Sequence, residues 1–233
     1  MRAGSPSEPE AWKDAVPSYL QFVLWVGLLV IQSFVLCFGL CCGNIQRFWS
    51  VYLYFSLASI IGFARFWTLQ YFGFVSEQYV YVYYYSDVIL ALGLFVPAVK
   101  LWGDVFEFES SNGIPLRIAA AVLFGTVFIT FITVHNTRYF ISYVVEFSQN
   151  LSIAILGLMT ILWVATLAKK LRASAEVRLV WVLLIYFAFY GAAAISRNFG
   201  HSEYQEFLLP EVAGLWLVVG AAFVVLPDGP KRV

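Results

Sequence analysis

The chain has 233 residues, 61% of them hydrophobic and 12% charged, with a formal net charge of zero. A water-soluble domain carries about 45–50% apolar and 25% charged residues, so this composition leaves too little polar surface to coat a globule in water. The balance of charge and the lack of any basic block exclude a nucleic-acid binder, and the bilayer is the natural solvent.

Residues 1–18 form a polar, acidic tail, MRAGSPSEPEAWKDAVPS, expected on the extracytoplasmic side. It lacks the charged-then-apolar form and small-residue cleavage site of a secretory signal, and the apolar run after it is too long for a signal core. Roughly 20 apolar residues cross the hydrocarbon core at about 1.5 Å per residue. Seven segments meet that need: Tyr19–Cys42, Phe48–Phe72, Tyr79–Trp102, Pro115–Val134, Tyr139–Ala168, Leu179–Ser196 and Leu208–Leu226. The connectors are too short for a soluble domain. The expectation is one all-α, polytopic domain over residues 19–226, with a cytoplasmic tail at 227–233. A barrel would need alternating segments of about ten residues, and these runs are twice as long and continuous.

Lys and Arg set the orientation. One side holds Arg47, Lys100, Arg117, Lys169, Lys170, Arg172, Arg178, Lys231 and Arg232, and the other Arg2, Lys13, Arg138 and Arg197. Nine against four predicts the N-terminus outside and the C-terminus in the cytoplasm of a bacterial inner membrane, multi-pass.

The third segment opens with YVYVYYYSD, Tyr79 to Asp87. Its alternation mimics a strand, but a lone strand in lipid leaves its backbone unpaired. The tyrosines are expected to be the outer end of a helix, at the boundary that their amphipathic rings favour. Tyr83 and Tyr84 lie four and three residues before Asp87 and so share its face.

Charges inside spans are costly and face the bundle interior or a cavity. Three are clear: Arg65, Asp87 and Glu146; Arg197 and Glu211 are borderline. Counted along the helices, Asp87 and Glu146 lie about 12 Å in from one side. Arg65 lies about 26 Å from the other, so all three fall in the outer half. Opposite charges at that level on neighbouring helices can pair. The fifth segment adds a stripe of Tyr139, Ser142, Tyr143, Glu146, Gln149 and Asn150, continued by Gly157 and Thr160, which predicts one polar face. The sixth has a fainter one, Tyr186, Tyr190, Ala193 and Arg197. The fourth offers Thr126, Thr130 and Thr133 for hydrogen bonds between helices.

A weak internal repeat relates RFWSVYLYFSLASIIGFAR (Arg47–Arg65) to RLVWVLLIYFAFYGAAAISR (Arg178–Arg197). Both spans that follow open on an acid then a valine, at Asp87 and Glu211. Segments two and three then correspond to six and seven, with four as linker, a device of transporters.

No motif supports an enzyme, a cofactor or a metal. His135 and His201 lack metalloprotease spacing, and there is no Gly-rich phosphate loop. Cys37, Cys41 and Cys42 give neither a disulfide framework nor a zinc pattern. The seventh segment has no lysine for a retinal Schiff base. The Asp-Arg-Tyr and Asn-Pro-x-x-Tyr marks of G-protein-coupled receptors are absent, as is the Pro-Gln pair of PQ-loop transporters.

The stretches YVYYYSD, WGDVFEF and YVVEFSQNLSIAILGL resemble those of small multi-span membrane proteins of soil bacteria, of acidobacterial type. That resemblance implies a bacterial inner-membrane protein and no particular chemistry. The first functional expectation is a ligand-sensing or accessory membrane domain whose outer-half pocket is formed by Arg65, Tyr83, Tyr84, Asp87, Glu146, Gln149 and Arg197. A small proton-coupled secondary transporter, with Asp87 or Glu146 as the coupling acid, and a structural subunit are the alternatives. The partners expected are the lipid bilayer, a small polar ligand, and a partner membrane or signalling protein.

Overall fold

The computed structural model describes residues 19–42, 45–73, 76–106, 114–134, 140–168, 174–198 and 203–225. Side chains are described for all of these except 19–22, 40–42, 114–115, 193–198, 203–211 and 225. Both tails, His135 and His201 fall outside the described residues. Among those described there are seven helices: α1 (Tyr19–Cys42), α2 (Ile45–Phe72), α3 (Glu77–Phe106), α4 (Ile114–Thr133), α5 (Phe140–Ala168), α6 (Ala175–Asn198) and α7 (Glu203–Val225). Each matches one predicted segment, and the tyrosine run is helical. Five are long and apolar enough to cross a membrane, namely α2 to α6, while α1 and α7 carry shorter described apolar stretches, Val23–Gly39 and Val212–Val224.

Local chemistry explains the helix ends. Gly73 takes φ 78°, and its N–H reaches the Leu69 carbonyl at 2.9 Å, a left-handed cap that only glycine adopts without strain. Ser76 then caps α3, its Oγ accepting from the Tyr79 N–H at 3.1 Å, with Glu77 in the first turn. Ser174 does the same for α6, accepting from the Val177 N–H at 3.4 Å. Near its start α2 bends at Phe48 (φ −113°, ψ 29°). The carbonyl of Arg47, at that bend, accepts from Lys100 Nζ of α3.

Neighbouring contacts run α1–α2, α2–α3, α3–α5, α5–α6, α6–α7 and α7–α1, closing a ring, and α3 also touches α6 across it. Helix α4 packs on α3 and α5 from outside. Its outward side is bare, with Phe124 76% and Phe131 69% exposed. The core contains Phe55, Leu94, Phe95, Leu151, Ile155, Leu183, Phe187 and Val218. Small residues let helices close in. A Cβ on Gly62 would lie 2.3 Å from Leu29 of α1, and one on Gly220 would lie 2.9 Å from Val182 of α6. Such contact is what holds helices together when the solvent is as apolar as they are.

The ring bears on the predicted repeat. Advancing three places around it takes α1 to α5, α2 to α6 and α3 to α7, leaving α4 outside. That order is compatible with a three-plus-one-plus-three duplication, as is any six-helix ring that follows the chain.

Candidate functional site

Arg65 sits on α2 two turns before the Gly73 cap, and its guanidinium crosses to α3. Nε donates to Ser86 Oγ at 2.7 Å, and Nη2 donates to the Tyr83 carbonyl at 2.9 Å. The same group lies 4.4 Å from the centre of the Tyr83 ring, a cation–π contact. Asp87 Oδ1 is 3.6 Å from Nη2, so the two charges attract without a direct hydrogen bond. The other carboxylate oxygen, Oδ2, accepts from the Tyr190 hydroxyl of α6 at 2.8 Å and from Ser148 Oγ of α5 at 3.2 Å. A single aspartate on α3 thus gathers α2, α5 and α6.

Two aromatic groups extend the cluster. Toward the start of α3, Tyr79, Tyr83 and Tyr84 form a stack, with ring centres 6.2 Å apart for Tyr79–Tyr83 and 5.6 Å for the edge-on Tyr83–Tyr84 pair. Toward the middle of the bundle, Tyr190 stacks on Tyr186 at 6.0 Å, and Tyr186 lies close to Tyr54 of α2. Tyr54 precedes Arg65 by eleven residues, three helical turns, and therefore lies on the same face of α2, about 16 Å along it. Both tyrosines are buried.

Of the residues expected to form the site, the structure brings Arg65, Tyr83 and Asp87 together, and Tyr84 meets the Tyr83 ring. It does not bring in Glu146 or Gln149. Neither makes a hydrogen bond or ion pair with Arg65 or Asp87, and Ser148 occupies the place expected of Glu146. The reason is rotation. Ser148 follows Glu146 by two residues, which puts them about 160° apart around the helix. The core side of α5 carries Val144, Ser148, Leu151, Ser152, Ile155 and Met159, so the predicted polar stripe points away from it. Part of that stripe meets α4, where Asn150 Nδ2 donates to Thr130 Oγ1 at 3.1 Å and Phe131 lies 6.4 Å from Tyr143. The side chains of Arg197 and Glu211 lie outside the described residues. Ser86, Ser148 and Tyr54 escaped the sequence reading, and Tyr186 and Tyr190, read there as a faint stripe, were not assigned to the site. The signals available were the eleven-residue spacing from Tyr54 to Arg65 and the four-residue spacing from Tyr186 to Tyr190.

An apolar groove of about 340 Å³ lies between α3 and α5, lined by Tyr85, Ile89, Phe140, Val144 and Phe147 among others. Tyr85 and Ile89 flank Asp87 by two residues each, so the groove is on the opposite side of α3 and shares nothing with the ion pair.

A second charge cluster ties the opposite ends of these helices. Arg47 donates from Nε and Nη2 to Glu176 Oε1 of α6 at 2.9 and 2.6 Å. Lys100, besides holding the Arg47 carbonyl, lies 3.9 Å from Asp104 one turn on. Arg47 is 58% exposed. Exposed pairs contribute about 0–1 kcal/mol, so Arg47→Gln is expected to change unfolding free energy by less than about 1 kcal/mol in a detergent melt.

The fold and site define a class: an all-helical protein whose exposed faces are apolar and aromatic and whose buried polar groups converge between helices. Compared with protein-family models, curated proteins and solved structures, the chain matches none of them.

Proposed function

We propose that the chain is a seven-span integral membrane protein of a bacterial inner membrane, N-terminus outside, acting as a ligand-sensing membrane domain. In this reading the Arg65–Asp87 cluster lies in the outer half and receives a small zwitterion. Arg65 meets its anionic group, Asp87 its cationic group, and Tyr83 and Tyr84 form an aromatic wall able to hold an ammonium. The observation that carries the reading is accessibility. The ion pair is gripped from four helices, yet the Arg65 side chain keeps 13% of its surface and Asp87 keeps 23%. In this reading a ligand reaches both groups through that remaining surface, and the domain passes its signal to a partner membrane protein.

The test is thermal unfolding of the purified protein in detergent with a panel of amino acids, short carboxylates and quaternary amines. A ligand at a hundred times its dissociation constant adds about 2.7 kcal/mol, which is a shift of several degrees. The expected result is a shift with zwitterions that Tyr84→Ala reduces and Arg47→Gln leaves intact. A panel that shifts nothing sinks the sensing role and leaves the cluster as a helix lock.

The ring order favours a second reading, a proton-coupled transporter, because two three-helix halves around a central acid are a transporter arrangement. Proteoliposomes carrying a pH gradient distinguish it: dissipation of the gradient by the same zwitterion, lost in Asp87→Asn, is expected of a transporter and not of a sensor.

A further inference from the structure

We propose that α5 is a dimerisation helix and that its partner is a second copy of this chain, inserted in the same sense. The inference rests on the chain lying in the bilayer and not on the ligand pocket. Glu146, Ile153, Gly157, Thr160 and Val164 recur at seven, four, three and four residues, a 3.5-residue seam that runs about 27 Å along the helix. The seam is open. Ile153 is 50% and Val164 52% exposed, and a Cβ built on Gly157 would meet nothing within 4 Å. Thr160 turns its hydroxyl back to the Leu156 carbonyl at 2.8 Å, so it offers a methyl group to whatever approaches. Small, smooth positions at mid-helix are what close approach of a second helix requires.

Chemistry selects the occupant. Glu146 and Gln149 are half-buried on this side of α5, and neither has a hydrogen-bond or ion-pair partner among the described residues. Lipid tails cannot supply one, and an unsatisfied polar group there is costly. Glu146 accepts, whereas the Gln149 amide, one turn further on, can donate. Two copies related by a twofold axis along the membrane normal hold their α5 helices at the same depth, with the Gln149 amides set between the two Glu146 carboxylates. The Gln149 amide of one copy then reaches the Glu146 carboxylate of the other, and the reverse contact forms with it. One chain holds both halves of the match, which is the signature of an isologous interface. Helix α4, the barest of the seven, offers no such pair: its outward side is Phe124, Val127, Phe128 and Phe131.

The experiment uses the full chain in lipid nanodiscs and bilayers, with Cys37, Cys41 and Cys42 replaced by serine. Ile153→Cys is expected to give an oxidatively linked dimer, and Ile60→Cys, at a position on α2 that is 66% exposed, is expected not to. Energy transfer between labelled copies, followed on dilution with lipid, should show Glu146→Leu with Gln149→Leu weakening association about tenfold. Gly157→Leu should abolish it without touching the fold, because its side chain enters empty space; an unchanged melting temperature verifies this. Equal linking at 153 and 60, a monomer at every protein-to-lipid ratio, association indifferent to all three substitutions, or a monomer that engages only a foreign basic helix each overturns the proposal.

Discussion

Asp87→Ala is expected to be the most destabilising single substitution in the polar cluster, by about 3–5 kcal/mol. The loss is larger than the ion pair's own strength because of what stays behind. Arg65 remains against Ser86 and the Tyr83 carbonyl with no anion, and a guanidinium cannot shed its charge. Tyr190 and Ser148 lose their acceptor in the same step, so contacts from α5 and α6 fail together. Arg65→Ala should cost less, since Asp87 keeps the hydrogen bonds from the Tyr190 and Ser148 hydroxyls that tie α5 and α6 to it. Asp87→Asn, which preserves shape and an acceptor oxygen, should fall below both. Replacing the pair together, Arg65→Met with Asp87→Leu, should recover most of the loss, as exchanging a buried pair for apolar groups of similar volume commonly does. The measurement is equilibrium unfolding in mixed micelles for the four variants. The order Asp87→Ala, Arg65→Ala, Asp87→Asn is the prediction. A cost below about 1 kcal/mol for Asp87→Ala means that the three attached helices do not depend on it.

Why Asp87 was legible in the sequence and its partners were not follows from the solvent. Helix limits were easy, because an apolar run long enough to cross a bilayer has few alternatives: the run Tyr19–Cys42 became α1 without change, and Tyr79–Trp102 became α3 with short extensions at both ends. Depth was also legible, since counting 1.5 Å per residue put Arg65 and Asp87 at one level, where they pair. Rotation was not. In water, the apolar side of a helix announces the core, but in lipid both the core side and the outer side are apolar. Polar residues were therefore the only guide to the inward face of α5, and they misled: Glu146 is more polar than Ser148, yet Ser148 is the one turned inward. A hydroxyl buried at 2% exposure can be satisfied by one aspartate oxygen, whereas a second carboxylate beside Asp87 would repel it. The Arg47–Glu176 contact was hidden for a different reason. It joins residues 129 apart in sequence, and a lysine or arginine near a span end reads only as an orientation signal.

Phe124→Arg is expected to have the other large effect, and it separates a membrane protein from a water-soluble bundle. Phe124 is 76% exposed near the middle of Leu116–Thr133, the 18-residue apolar stretch of α4 with mean hydropathy 2.0. If that side faced water, trading phenylalanine for arginine would remove an exposed ring and improve solubility. If it faces hydrocarbon, a charge at the helix centre costs about 2.5–3.5 kcal/mol of insertion free energy. Helix α4 is poorly placed to absorb this, since it touches only α3 and α5 in force and has no opposite wall to hold it in place. Position supplies the control. Leu116, 74% exposed at the start of the same stretch, lies beside Arg117, so this end of the helix already carries a charge, which a long side chain can hold at headgroup level. Leu116→Arg should therefore be nearly silent, and the two arginines should differ by about 2 kcal/mol or more in insertion. Phe124→Leu should match the parent, because a lipid tail is as good a neighbour for one as for the other. The readout is the fraction of α4 inserted, scored by accessibility of a tagged flanking loop, together with the yield in the membrane fraction. Equal insertion of Phe124→Arg and Leu116→Arg, or recovery of Phe124→Arg as a folded soluble protein, removes the bilayer from the account of this fold, and with it the cost that drives Glu146 and Gln149 toward a second copy.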